Sequence, residues 1–292
     1  MNLKVCPIGH YNLVVAGHNL ATQLHIIEVI GMGKYTGKFP TLPKRKFFQK
    51  GDKGENVKLL QKLLNWMNQG AELTPLKVDG EIGNKTIGAV KFMEQVHCLK
   101  EDGEFGQKCL GCAKKLDMTD GVMAVNWAIS IINDGSYHYK KWNAKDKKTQ
   151  QCPICHKQKT GKYHGWNCIG FITACYHHGA GRKGFECSCS GLGSNDFFTK
   201  VTLASWRKHN GKKWIAITNG GTKGGNSIKE KSLKMGDVLT CYKSNGEYQH
   251  TAMYAGYGTY VDSTSGSNPN VGRRTYSKLA GSLHVTRAFR PI

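Results

Sequence analysis

The chain reads as an α+β protein in which helices come first and an antiparallel sheet follows. Three observations predict this. An amphipathic helical stripe and an internal Asp-Gly repeat lie before residue 117, a second helix-forming run opens just after it, and the last third alternates short apolar runs with Gly-rich turns. With 292 residues the chain has room for two modest cores, since domains typically span about 100–200 residues.

The elements follow in order. Residues 1–39 carry no interpretable pattern, and 40–45 (PTLPKR) reads as a linker through its prolines and basic residues, so 1–46 form an N-terminal segment of unassigned role. Val57, Leu60, Leu64 and Met67 then recur at steps of three and four, which predicts an amphipathic helix. Val78-Asp79-Gly80-Glu81-Ile82-Gly83 is echoed by Glu101-Asp102-Gly103-Glu104-Phe105-Gly106. In each copy Asp-Gly can form a tight turn, and Ile82 or Phe105 can dock into a shared core as the next helix begins.

Gly51, Gly54, Val57, Leu60, Gln61, Asp79, Gly80, Gly83, Thr86, Asp102, Gly103 and Gly106 together match the pattern of the peptidoglycan-binding domain 1 family. The stretch 47–116 therefore resembles that three-helix module, with Cys109 where the second copy usually has Thr. The resemblance implies binding to bacterial peptidoglycan. In themselves these glycines and apolar residues build turns and core, and they do not mark which surface touches glycan.

A second domain is expected over 117–292. Thr119 and Asp120 can cap a helix whose broad apolar face is Val122, Val125, Trp127, Ala128, Ile131 and Ile132. Cys168 to His177 reads as another helix. Gly236 to Leu239, His250 to Ala255, Thr259 to Ser263 and His284 to Phe289 read as strands.

Four short motifs in this half carry chemistry: Trp166-Asn167-Cys168-Ile169-Gly170-Phe171, Met235-Gly236-Asp237-Val238-Leu239, His250-Thr251-Ala252-Met253-Tyr254 and Tyr260-Val261-Asp262. A thiol at the start of a helix beside an imidazole has a lowered pKa, so thiolate is available near neutral pH. The motifs resemble those of the NlpC/P60 family of papain-like cell-wall peptidases, including the twelve-residue interval from His250 to Asp262. Asn167 and Ile169 stand where that family has Asp and Ser, and Asp262 where His, Asn or Gln is commoner.

The resemblance implies a papain-like fold of helices packed on an antiparallel sheet. It also implies Cys168 as nucleophile, His250 as base and Asp262 as the residue that orients it. Tyr137, in the SYHYKKW segment, is the expected hydroxyl at the oxyanion, beside the Cys168 backbone N–H. The expected activity is a peptidoglycan hydrolase of the phage-lysin type that cuts an amide of the wall stem peptide without a required cofactor. A muramoyl-alanine amidase of CHAP-like type and a non-catalytic wall-binding or virion protein remain the alternatives.

Charge and cysteines narrow the partners. Forty-two Lys and Arg against twenty Asp and Glu give a formal charge of +22, which favours polyanions such as anionic wall polymers. No nucleic-acid-binding motif accompanies the charge, no tract is long and apolar enough to span a bilayer, and a monomer is expected. His, Asn, Gln and Glu interrupt every apolar run of the first thirty residues. No export signal is therefore expected, and a product made in the bacterial cytoplasm would meet the wall only after a separate release step.

Cys152-Pro153-Ile154-Cys155 and Cys187-Ser188-Cys189 flank the nucleophile and could hold a tetrahedral structural zinc, although the second pair is tightly spaced. The alternative is a set of reduced, partly buried thiols. Cys6, Cys98, Cys175 and Cys241 are expected to be plain small hydrophobes, and His177 and His178 to be surface or structural residues.

Overall fold

A computed structural model describes residues 38–141, 145–146, 151–157, 164–181, 213–218, 226–265 and 270–292. The first apolar stripe forms α1 (Glu55–Met67), which buries Val57, Leu60, Leu64 and Met67. α2 (Asn84–Val96) and α3 (Gln107–Lys115) follow the two Asp-Gly turns. Ile82 and Phe105 are both buried at those helix starts, as expected.

The repeat has a polar counterpart that the Asp-Gly pattern alone does not reveal. Buried Gln61 of α1 donates to the Asp79 carboxylate at 2.8 Å and accepts from the Gly80 N–H at 2.9 Å. One turn later, buried Glu94 of α2 accepts from the Gly103 N–H at 2.9 Å. Gly80 and Gly103 both have positive φ, a backbone state that glycine adopts without strain. Each turn is thus held by an amide or carboxyl from the preceding helix.

The fourth helix, α4 (Asp120–Asp134), is capped by the Thr119 hydroxyl, which accepts from the Val122 N–H at 3.3 Å. It packs against both halves of the chain. Asn126 donates to the Met67 and Gln69 carbonyls, each at 2.8 Å, and the Trp127 indole N–H donates to Glu72 at 2.9 Å. Farther out, Arg273 donates to the Gln95 and Val96 carbonyls at 2.6 and 3.0 Å. One apolar cluster runs from Phe48 and Leu60 through Trp127 to Val238 and Phe289, so the core is continuous across residues 116 and 117. Truncating a buried aromatic such as Trp127 to Ala typically costs about 3–5 kcal/mol.

The sheet begins with two short strands, β1 (His138–Tyr139) and β2 (Gly165–Trp166). Next come α5 (Cys168–Ala174), a π-helical turn over Cys175–Gly179, and β3 (Trp214–Thr218). The chain ends with β4 (Val238–Tyr242), β5 (Tyr248–Gly256), β6 (Thr259–Thr264), β7 (Asn270–Thr275), α6 (Tyr276–Ser282) and β8 (His284–Pro291). Among the described residues the sheet order is β2-β1-β7-β6-β5-β4-β8-β3. Every pairing is antiparallel except β1 with β2.

Alternation along β5 places Met253 and Ala255 in the main core, while Ala252 and Tyr254 face a second, smaller cluster with Leu279 of α6. The expected α+β architecture is thereby observed, with helices first and a sheet after. Four predicted strands correspond to β4, β5, β6 and β8. β3 and β7 were not anticipated, because β3 is a short edge run with exposed Ile215 and β7 (NVGRRT) is too polar to alternate.

Candidate active site

Cys168 occupies the first position of α5 because Asn167 ends the preceding extended segment and caps the helix. The Asn167 side-chain oxygen accepts from the Gly170 N–H at 2.7 Å. At this position the Cys168 N–H lies outside the intrahelical ladder and is available to an incoming group. Behind it, Trp166 and Phe171 pack with Trp127 at ring separations of 5.8–6.3 Å, which fixes the start of the helix on α4. The Ser263 hydroxyl donates to the Trp166 carbonyl at 2.7 Å and ties the same segment to β6.

The sheet supplies the other two groups. His250 on β5 faces Asp262 on β6, with Nε2 and Oδ2 2.8 Å apart, and Asp262 is only 2 % exposed. His250 also sits close enough to the Cys168 sulfur for each group to shift the other's pKa.

Burial alone would push the Cys168 thiol up, but the hydrogen bond and charge of His250 outweigh it and hold the thiol below its ordinary value. Burial likewise works against a charged His250, yet Asp262 and Cys168 raise its pKa well above the ordinary histidine value. Both shifts favour a thiolate–imidazolium pair. The structure therefore brings Cys168, His250 and Asp262 together.

Two partners of this array were missed in the sequence. The Tyr248 hydroxyl lies 3.9 Å from Cys168 Sγ. Burial, followed by the charge of Cys168, pushes the Tyr248 phenol well above its ordinary value, so it stays a proton donor. Its signal was its position two residues before His250, which strand alternation puts on the same side. The second is Arg274 on β7, whose guanidinium pairs with Asp262 Oδ1 and also donates to the Asn270 side chain at 2.8 Å.

Tyr137 packs beside Trp166, two residues before Cys168. Its ring stacks on His164 at 4.2 Å and leans on Trp166 at 4.9 Å, and among the described residues it makes no hydrogen bond to Cys168. Asp237 of the Gly-Asp motif is fully buried in a structural ion pair with Arg290 of β8 at 2.7 Å. The preceding Gly236 has positive φ, and a Cβ there would come within 2.1 Å of Gly121 on α4.

Of the expected zinc ligands, Cys152 and Cys155 lie side by side near His178, whereas Cys187 and Cys189 fall outside the described residues. Cys6 is also outside them. Cys175 and Cys241 are buried and free of disulfide bonds, as expected of small hydrophobes, while Cys98 is exposed. No helix among the described residues is long and apolar enough to cross a membrane.

Residues 53–112 match the model of a family described as "putative peptidoglycan binding domain". No curated protein matches the chain. Solved structures with a similar course include NlpC1 from Trichomonas vaginalis, 13% identical with a TM-score of 0.32, over 60% of this chain and 45% of that one. The NlpC/p60 domain of the peptidoglycan hydrolase SagA is 18% identical with a TM-score of 0.28, over 56% of this chain and 95% of that domain. The P60 domain of a M. avium subspecies paratuberculosis antigen is 14% identical with a TM-score of 0.27, over 58% and 96%. This chain thus spans less than half the length of NlpC1. The site geometry, rather than likenesses at this level, carries the chemistry.

Proposed function

We propose that this protein is a peptidoglycan hydrolase that holds the wall through residues 47–116 and cleaves a stem-peptide amide with Cys168. The observation that carries the reading is the partly buried Cys168–His250–Asp262 array, set in the same chain as a segment matching a peptidoglycan-binding family. Anionic wall polymers add a salt-sensitive attraction to a chain of formal charge +22.

The Cys168 thiolate attacks the amide carbonyl carbon, forming a C–S bond and placing negative charge on the oxygen. The Cys168 N–H and the Tyr248 hydroxyl, 3.9 Å from the sulfur, serve as donors to that charge. Imidazolium His250 then gives its proton to the leaving amine as the C–N bond breaks, leaving a thioester. Neutral His250 takes a proton from water, the hydroxide adds to the thioester, and the released thiolate is again paired with imidazolium. Asp262 keeps its oxygen on Nε2 throughout and holds the ring in register.

The expected bond lies within the stem peptide; the muramoyl-alanine amide is the competing site, and the enzyme would act as a phage-type lysin. Purified peptidoglycan digested by the enzyme should release fragments whose masses carry a new stem-peptide amine. Cys168→Ala should abolish release while the folded protein still pelets with walls. Retention of most of the lytic rate by Cys168→Ala would sink the cysteine mechanism, and fragments ending at muramic acid would reassign the bond.

A further inference from the structure

Cys152 and Cys155 from one stretch of chain and His178 from another converge at the end of the nucleophile helix remote from Cys168. Cys152 and Cys155 sit in the turns of 151–157, and His178 in the π-helical turn Cys175–Gly179 that continues α5. His178 Nε2 lies 3.5 Å from Cys152 Sγ and 3.7 Å from Cys155 Sγ, and all three donor atoms lie within 4.8 Å of one another. We propose that these three side chains are ligands of a structural zinc ion that clamps the 151–157 segment to the nucleophile helix.

The distances fit the ion. With Zn–S near 2.3 Å and Zn–N near 2.0–2.1 Å, tetrahedral angles put sulfur and nitrogen ligands about 3.6 Å apart. Both observed separations bracket that value. Hydrogen bonding accounts for one contact well but not for two, because Nε2 offers a single N–H or a single in-plane lone pair, whereas here it meets two sulfurs at nearly equal range. Cys-x-x-Cys is also the spacing with which a knuckle presents two thiolates to one metal.

The imidazole is held in place from behind. Its ring stacks on Trp127 with centroids 5.1 Å apart and an interplanar angle of 15°. The next residue, Gly179, is pinned against α4: a Cβ there would come within 2.6 Å of the Met123 carbonyl and 2.7 Å of the Trp127 side chain. The π-turn therefore aims His178 at the thiols, a use to which such irregular turns are often put. Cys152 is buried and Cys155 is exposed, so an ion reaches the site from the surface. The clamp braces the helix that presents Cys168 and takes no part in bond cleavage.

Elemental analysis of the full chain, expressed in zinc-supplemented medium and purified without chelator, should find about one zinc per chain. Cobalt(II) in its place should give thiolate-to-cobalt charge-transfer absorption and the visible bands of a tetrahedral site, both weakened in Cys155→Ser. His178→Gln should bind at least about tenfold more weakly. His178→Cys should keep the metal and strengthen the charge-transfer band, which separates ligand loss from misfolding. Cys168→Ala should keep full metal content, so the clamp and the hydrolase reading stand or fall separately. Wild-type protein without metal, His178→Gln with wild-type affinity, or a cobalt spectrum unchanged in His178→Cys would each overturn the proposal.

Discussion

Gly272 stands directly across the β6–β7 ladder from Asp262, and its missing side chain admits Arg274 to the Asp262 carboxylate. A Cβ on Gly272 would lie 2.7 Å from Arg274 Nη1, so any larger residue pushes the guanidinium aside. The carboxylate that orients His250 is thus itself oriented, with one oxygen on the imidazole and the other on the arginine.

From this follows a prediction at a residue that touches no substrate. Gly272→Ala should lower kcat by about tenfold to a hundredfold, the cost of a small misplacement of a catalytic group, with a melting temperature close to wild type. Arg274→Ala should match it, and the double variant should be no worse than either single one. A Gly272→Ala enzyme with wild-type kcat would show that Arg274 does not position Asp262.

The thiolate–imidazolium pair predicts how reactivity depends on pH. Cys168 lies below its ordinary value and His250 above its own, so activity should fall as pH drops through the first and again as pH rises through the second. Iodoacetamide at about pH 6, where an ordinary thiol is mostly protonated, should label Cys168 first. Burial pushes Cys175 and Cys241 well up and Cys109 up to about 11, which keeps all three slow. His250→Ala should move the alkylation inflection upward by at least about one unit, and Asp262→Asn by less. Peptide mapping that finds the same Cys168 rate in wild type and His250→Ala would dissolve the pair.

Tyr248 and Tyr137 make opposite predictions. Tyr248→Phe removes the hydroxyl 3.9 Å from Cys168 Sγ and should reduce kcat by up to about a hundredfold with little change in KM, as losing one oxyanion donor does. Tyr137→Phe keeps the ring stacked on His164 and should stay within about twofold of wild type. The reverse ranking in steady-state kinetics would return the oxyanion role to Tyr137.

What the sequence disclosed follows physical periodicity. The stripe from Val57 to Met67, the two Asp-Gly turns, the Thr119 cap and the strands of His250 and Asp262 are local patterns, and each occurs where its spacing places it. Arg274 was hidden because β7 has no apolar alternation: Arg273 and Arg274 are there to meet carbonyls of α2 and a carboxylate on β6, partners far off in the chain. His178 was hidden for a different reason. The helix read over 168–177 stops short of it, and the π-turn over Cys175–Gly179 is what aims it at Cys152 and Cys155.

The last prediction concerns stability and rests on the likeness between Gln61 and Glu94. Each receives the N–H of the glycine in an Asp-Gly turn, but Gln61 is neutral and Glu94 is acidic. Burial pushes the Glu94 carboxyl up to about 7, and protonated Glu94 can also hydrogen-bond Asp102. Because its folded-state value is raised, the stability it contributes is fully present below the ordinary glutamate range and is lost as pH rises through about 7. Glu94→Gln copies the first turn into the second and removes the ionisation. It should therefore equal wild type near pH 4 and exceed it at pH 8 by on the order of 1 kcal/mol, or a few degrees in Tm. Thermal melts of the two proteins across that range test the sign directly, and a Tm difference that does not change with pH would show that Glu94 does not titrate in the folded protein.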